Sequence, residues 1–176
     1  SVHLLGHSFG GMVARLAVIR HPNRFESFTL FCTGPTKTDT FDRIENLHEF
    51  MRGKTMQQTW QELKTNPQSE IAFAPNDSWP PHIYQRWTAT DPKSLMATIE
   101  MIRDEVDRTD ELGKIEIPFH AVYGEFDDAW TPAQQDEVAA RLGAPVSVIK
   151  GCGHCPNEED SAQTAEVLAD FWKKNL

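Results

Sequence analysis

The run Gly6-His7-Ser8-Phe9-Gly10-Gly11 constrains the fold of this 176-residue chain more than any other feature. A short, mostly apolar stretch, Val2 to Leu5, precedes it. A helical pattern follows from about Gly10 to His21, and Pro22 ends it. The stripe assigned to that helix is Met12, Val13, Leu16, Ala17 and Arg20, of which the first four are apolar. The sequence therefore predicts a strand, a sharp turn that holds Ser8, and a helix.

A serine in such a turn is a candidate nucleophile. Its hydroxyl projects clear of the sheet, provided that glycines, here Gly6 and Gly10, let strand and helix approach closely. A serine needs a base to take its proton and donors to stabilise the oxyanion. The backbone N–H of Phe9, at the positive end of the helix, is one candidate donor. The alternative is a glycine-rich turn with an incidental serine.

The rest of the chain alternates strand and helix patterns around a helical middle segment. Strands are predicted at Phe28–Cys32, Phe119–Tyr123 and Val146–Ile149, and helices at Pro132–Leu142 and Ser161–Lys174, the last presenting Ala165, Leu168, Phe171 and Trp172 to a core. From Pro35 to about Thr109 apolar residues recur at helical spacing, as in Met56, Trp60 and Leu63, or Leu95, Ile99, Ile102 and Val106. This order predicts an α/β fold with a parallel sheet and flanking helices. The predicted domains are an α/β core formed by residues 1–34 and 110–176, and a helical insertion at 35–109.

Composition excludes several partners and cofactors. A formal net charge of −9 argues against nucleic acid or an anionic membrane surface as the partner. Three cysteines, Cys32, Cys152 and Cys155, are too few for a disulfide framework and favour a reducing compartment, the cytoplasm. The Cys152–Cys155 run leaves a zinc or redox site open as an alternative, but no second ligand pair accompanies it. We expect no metal and no cofactor.

The motifs together carry a family resemblance. They are the serine turn, Arg20–Phe25, Ile117-Pro118, Tyr123–Asp127, Thr131-Pro132, and Gly151–His154 with Glu158-Glu159. Over nearly its whole length the sequence resembles the α/β-hydrolase fold enzymes. The resemblance implies the order serine, acid, histidine, and so Ser8 as nucleophile, Asp127 as acid and His154 as base. Asp127 and His154 each follow a predicted parallel strand, which places both at the edge of the sheet where ligands bind.

Each assignment has an alternative. Asp128 or the more distant Asp39 could be the acid, although the family spacing after Gly124 favours Asp127. His7 is interpreted as a packing and hydrogen-bonding residue. The remaining candidates, His3 and His120, lie in predicted strands and are interpreted as satisfied core histidines.

The resemblance also implies a substrate class. Ser8 in place of an aspartate favours acyl transfer to water, and Cys32-Thr33-Gly34 with Arg43-Ile44 is loosely similar to 3-oxoadipate enol-lactonases. The predicted function is hydrolysis of an ester, lactone or similar acyl bond of a small organic substrate. The segment 35–109 looks like the family's cap, whose aromatic residues line a pocket or, more often, form a core; they are Trp60, Trp79, Tyr84 and Trp87. The alternatives are a non-catalytic binding module, and a C–C bond hydrolase or acyltransferase that uses the same serine.

The early position of Ser8 carries a further expectation. In the family, about four strands and the loop with the second oxyanion donor precede the serine strand. We therefore expect a fragment with little activity by itself. Its unpaired sheet edge at Val2 to Leu5 would favour association with another chain.

Overall fold

The computed structural model of the protein describes residues 2–37, 41–66 and 81–176. The chain divides into two compact units. One unit combines Ser1–Asp39 with Val106–Leu176, and the other is Thr40–Glu105. The first unit is an α/β structure, which confirms the predicted fold class, and the second is helical in its described residues.

In the described part of the first unit, four parallel strands form one sheet, in the order β1-β2-β3-β4. They are β1 (Val2–His7), β2 (Phe25–Phe31), β3 (Phe119–Gly124) and β4 (Val146–Ile149). The helices of this unit are α1 (Phe9–Arg20), α6 (Thr109–Leu112), α7 (Pro132–Leu142), α8 (Pro156–Glu159) and α9 (Ser161–Lys174), with a 3₁₀ turn at Pro22–Arg24. Because all strands run the same way, the loops that follow them meet at one edge of the sheet.

Each face of the sheet has its own core. On one face, residues of α1, α6 and α7 pack against β2 and β3; these residues are Ala14, Val18, Phe28, Leu30, Leu112, Phe119 and Val138. On the other, Phe31, Val122, Ile149 and Cys152 pack with Val167 and Leu168 of α9. Apolar residues cover both faces, as expected for a parallel sheet.

The predicted apolar stripe of α1 is confirmed at Met12, which is 2% exposed, but is wrong at Val13. Val13 is 54% exposed, whereas the Arg15 side chain is completely buried. Arg15 donates hydrogen bonds to the carbonyl oxygens of Pro35, at 2.7 Å, and Gly34, at 2.5 Å. These acceptors compensate for the burial of a charge, so an arginine occupies a core position that periodicity assigns to apolar residues. The prediction for α9 is wrong at Ala165, which is exposed.

The second unit contains α2 (Phe41–Met51), α3 (Met56–Thr65), α4 (Pro81–Ala89) and α5 (Pro92–Asp104). Its core consists of Leu47, Met51, Met56 and Leu63, with Phe50, Trp87 and Leu95 packed against them. Trp60 is 7% exposed and contacts the rings of Tyr84 and Trp87. Val106, predicted on the stripe of α5, lies beyond its end and is 54% exposed. Trp79 lies outside the described residues.

No helix in the described ranges is both long and apolar enough to cross a bilayer.

Candidate active site

Ser8 occupies the sharp turn between β1 and α1. Its backbone has φ 54° and ψ −127°, a left-handed conformation that side chains rarely adopt. The Ser8 N–H donates to the Phe31 carbonyl at 3.0 Å, and the Ser8 carbonyl accepts from the Gly11 N–H at 2.9 Å. Although Ser8 is at the N-cap of α1, its hydroxyl makes no capping hydrogen bond. The turn therefore leaves the hydroxyl for another partner.

Two glycines let this turn close. A Cβ on Gly6 would lie 2.6 Å from Gly11 Cα, and one on Gly11 would lie 2.5 Å from the Thr33 side chain. Both contacts are too short for real Cβ atoms. Gly10 differs from the prediction, since a Cβ there would meet open space. Close approach of strand and helix thus depends on Gly6 and Gly11.

The side chains of Ser8, His154 and Asp127 form a hydrogen-bonded chain. His154 Nε2 lies 2.9 Å from Ser8 Oγ, and His154 Nδ1 lies 2.9 Å from Asp127 Oδ1. Asp127 follows β3, and His154 lies in the loop between β4 and α8. Because the carboxylate only accepts, Nδ1 carries the proton and Nε2 accepts from the Ser8 hydroxyl. The structure thus brings together the three residues that the sequence singled out.

Asp127 is held as a carboxylate by its hydrogen bonds. Its side chain is fully buried. Burial by itself raises the pKa of Asp127, but hydrogen bonds from His154, Gln135 and the Ala129 N–H hold that pKa below its ordinary value. An ionised carboxylate at this position can orient an imidazole and stabilise its protonated form.

Thr33 and Gln135, neither of which the sequence marked as a site residue, complete a closed ring of hydrogen bonds. Gln135 is 2% exposed, and its Nε2 donates to Asp127 Oδ2 at 2.9 Å. Gln135 Oε1 accepts from the Thr33 N–H at 3.1 Å, and Thr33 Oγ1 donates to the Ser8 carbonyl at 2.8 Å. The ring thus runs from Ser8 through Thr33, Gln135, Asp127 and His154 back to Ser8. No local sequence pattern marks Gln135, because its partners lie on other segments.

Among the described residues, neither Asp128 nor His7 replaces Asp127 or His154 in this hydrogen-bonded chain. Asp128 is exposed, and the carboxylate that contacts His154 belongs to Asp127. Asp39 lies outside the described residues. His7 Nε2 donates to the His154 carbonyl at 2.8 Å, and burial is the main cause of its lowered pKa. His7 thus supports the backbone of the histidine loop.

The other two candidate histidines lie within the sheet. His3 of β1 is hydrogen-bonded to Ser27 at 2.8 Å, and His120 of β3 to Ser147 at 2.9 Å. Neither histidine contacts a carboxylate through these bonds. The interpretation as fully satisfied residues is wrong, however, because His3 Nε2 and His120 Nδ1 are buried without a partner among the described residues.

Phe9, the predicted oxyanion donor, is the first residue of α1. The first four N–H groups of a helix have no acceptor within the helix, and the helix dipole places partial positive charge there. The Phe9 amide therefore lies at the positive end of α1, next to Ser8.

The cysteines are separate thiols in the described structure. Cys32, Cys152 and Cys155 are all free. Cys32 directly follows β2 in a left-handed conformation, with φ 47°, and is fully buried. Burial and then the nearby Asp127 carboxylate raise the pKa of the Cys32 thiol. Potential ligand atoms of Cys32, His7 and His154 lie within 4.8 Å of one another, a group that includes neither Cys152 nor Cys155.

The parallel sheet and a serine in a strand-to-helix turn, hydrogen-bonded to a histidine after a later strand, define the α/β-hydrolase class of fold. The comparison with known families agrees. The chain belongs to the alpha/beta hydrolase family, which it matches over residues 1–167.

Individual relatives are distant. The chain is 26% identical over 180 residues to a pimeloyl-(acyl-carrier protein) methyl ester esterase of Aeromonas hydrophila subsp. hydrophila, covering 96% of this chain and 69% of that one. It is 22% identical over 197 residues to a proline iminopeptidase of Thermoplasma volcanium, covering 99% of this chain and 66% of that one. Among solved structures it is similar to the enol-lactonase of Burkholderia xenovorans LB400, with a TM-score of 0.75 and 21% identity, covering 97% of this chain and 65% of that one. The chain thus spans about two thirds of the length of these relatives.

Proposed function

We propose that the protein is a serine hydrolase that cleaves an ester, lactone or similar acyl bond of a small organic substrate. The observation that carries the proposal is the hydrogen-bonded chain from Ser8 Oγ through His154 to the buried Asp127, with both distances at 2.9 Å. A base in contact with the nucleophile, itself oriented by a third group, is the signature of an activated serine.

In the first step Ser8 Oγ attacks the carbonyl carbon of the substrate. His154 Nε2 accepts the hydroxyl proton as the new C–O bond forms. Asp127 keeps Nδ1 protonated and stabilises the imidazolium. The carbonyl oxygen becomes an oxyanion, and the Phe9 N–H and the positive end of α1 would stabilise it.

In the second half of the reaction His154 returns the proton to the leaving alcohol. The acyl group remains on Ser8 Oγ, and a water molecule then attacks it with His154 again acting as base. The products are a carboxylic acid and the alcohol; for a lactone they are one molecule.

The substrate class draws on the relatives and on the nucleophile. One curated relative is named as a methyl ester esterase, and one similar structure is an enol-lactonase. A serine rather than a carboxylate at the turn favours acyl chemistry. We also propose that residues 35–109 serve as the cap of this family, a role that the helical content of Thr40–Glu105 supports.

A fluorophosphonate probe tests the nucleophile. Intact-mass spectrometry should show one adduct on the unmodified chain, and none on Ser8→Ala. Ser94→Ala is the matched control because Ser94 is an exposed serine of α5; this variant should be labelled like the unmodified chain. An adduct that persists in Ser8→Ala would contradict the proposal.

A second assay tests the bond that is cleaved. Short p-nitrophenyl esters and a small lactone are incubated with the unmodified chain, free of probe, first in water and then with added alcohol. Acid products in both cases support hydrolysis, whereas mainly new ester in alcohol would indicate an acyltransferase.

We further propose that the chain associates with a second copy through β1. This strand lies at one end of the described sheet, and Val2 is 58% exposed. An unpaired apolar edge is a template for pairing with another strand. Light scattering after size exclusion should show a concentration-dependent mass above that of the monomer; a constant monomer mass would refute the association.

A further inference from the structure

We propose that His7, Cys32 and His154 form a binding site for a Zn²⁺ ion, and that the bound ion blocks the Ser8 centre. Two imidazoles and one thiolate are among the preferred ligands of Zn²⁺, and three protein ligands leave a fourth position for water. No residue of this group other than His154 belongs to the proposed catalytic chain.

The geometry lies near that of a zinc site. The candidate ligand atoms lie within 4.8 Å of one another. Tetrahedral bonds of roughly 2.0 to 2.3 Å require ligand separations of roughly 3.3 to 3.8 Å. The ligand atoms must therefore approach by up to about 1 Å when the ion binds. His154 has a side-chain exposure of 24% whereas Cys32 is fully buried, so an ion would approach from the histidine side.

The charges nearby suit a divalent cation. Burial and the Asp127 carboxylate raise the pKa of the Cys32 thiol, so the ion must displace its proton, which passes to solvent; the thiolate then bound cancels one positive charge. The Asp127 carboxylate, 2.9 Å from His154 Nδ1, supplies a second negative charge beside the ion. The Cys32 thiolate and the Asp127 carboxylate would therefore place two negative charges near a bound Zn²⁺ and compensate its charge.

Binding would stop the proposed reaction. His154 contacts Asp127 through Nδ1 and Ser8 through Nε2. Whichever ring nitrogen binds the metal, His154 loses either its orienting carboxylate or its capacity to accept the serine proton. This inhibitory effect rests on the proposed function, whereas binding of the ion does not.

Binding is tested first with Co²⁺, which occupies zinc sites and is coloured. Titration of the reduced, unmodified chain with CoCl₂ should give a near-ultraviolet thiolate-to-cobalt charge-transfer band. The band should be absent in Cys32→Ser and retained in Cys155→Ser. Cys155 is the matched control because it follows His154 directly but does not belong to the ligand group. No band, or a band that survives in Cys32→Ser, would overturn the proposed site.

Inhibition is tested with ZnCl₂ in the ester assay, with each variant compared with its own rate without metal. Zn²⁺ should inhibit the unmodified chain, and EDTA should restore its activity. The half-inhibitory concentration should rise at least about tenfold in Cys32→Ser and in His7→Gln, and stay the same in Cys155→Ser. Equal inhibition of all variants would refute the mechanism. Because the cobalt band needs no catalysis, a chain that gives the band but no Ser8 adduct would refute the hydrolase proposal alone.

Discussion

Among the described residues, three histidines at this sheet are hydrogen-bonded to a serine hydroxyl, and two of them, His154 and His120, lie in contrasting surroundings. At the carboxyl edge, His154 contacts Ser8 at 2.9 Å. Within the sheet, His120 of β3 contacts Ser147 of β4, also at 2.9 Å. A serine and histidine at hydrogen-bond distance therefore do not define a catalytic site.

The second ring nitrogen distinguishes the two pairs. His154 Nδ1 contacts the buried Asp127, whereas His120 Nδ1 is buried without a partner among the described residues. Burial lowers the pKa of His120 to about 4, so it stays neutral at pH 7 and has no charge partner to stabilise an imidazolium. Ser147 lies in a regular strand, while Ser8 lies in a strained turn at a helix N-terminus. The His120–Ser147 pair therefore lacks two features of the His154–Ser8 pair: a carboxylate on the second ring nitrogen and a strained turn that holds the serine.

The largest expected effect comes from replacing each histidine in turn. His154→Gln should lower kcat for ester hydrolysis by roughly 10⁴-fold or more, because Ser8 loses its base. His120→Gln should leave kcat close to that of the unmodified chain. Steady-state kinetics on a p-nitrophenyl ester measures both, and comparable losses in the two variants would refute the contrast between the pairs.

The buried histidine should instead control stability at acid pH. The pKa of His120 is about 4 in the folded chain and 6.5 ordinarily. The unfolded chain therefore binds a proton first as the pH falls. The His120 contribution to the free energy of unfolding is complete above pH 6.5 and decreases toward pH 4, by about 3 kcal/mol at most.

Urea unfolding of the unmodified chain and of His120→Gln, at intervals between pH 7 and pH 4, measures this contribution. The difference in unfolding free energy between the two should change steadily in favour of the variant as the pH falls. His21→Gln is the control, since His21 is exposed. A pH dependence that is identical in all three proteins would show that His120 is not the group responsible.

Local patterns in the sequence predicted the strands, most helices and the fold class. They succeeded because each depends on neighbours in the chain: the glycines around Ser8, Pro22 after α1, and the apolar runs of β2 and β3. The catalytic roles of Ser8, Asp127 and His154 stay a prediction, although their side chains meet.

Buried polar residues could not be predicted in the same way. Arg15 is buried because its acceptors are the carbonyls of Gly34 and Pro35, about twenty positions further along the chain. Gln135 is buried because it bridges Asp127 and Thr33, the second of which is 102 positions away. Periodicity treats buried positions as apolar, so polar residues satisfied by distant segments are missed.

Replacing Gln135 has the smallest expected effect and tests the role of the Asp127 carboxylate. Of the two histidine–serine pairs, only His154 with Ser8 has such a carboxylate. In Gln135→Leu, Asp127 loses a donor, and the pKa of that carboxyl should rise toward its ordinary value. The carboxyl carbon-13 NMR signal of Asp127, followed as the pH is lowered, should then change at a higher pH than in the unmodified chain. We expect kcat to fall about tenfold, from the loss of one hydrogen bond to a charged group, with KM little changed.

A purely structural role for Gln135 predicts a different result. Gln134→Leu removes the capping-box partner of Thr131 at the start of α7 and so lowers stability, but it takes nothing from Asp127. If Gln135 acts by positioning Asp127, only Gln135→Leu raises the pH at which the Asp127 carboxyl titrates, even when the two variants unfold at similar urea concentrations. Equal Asp127 titration and equal kcat in both variants would mean that the glutamine stabilises the fold alone. In that case the hydrogen-bonded ring through Thr33 would not affect the pKa of Asp127. The two histidine–serine pairs would then differ only in the presence of Asp127 and in the turn at Ser8.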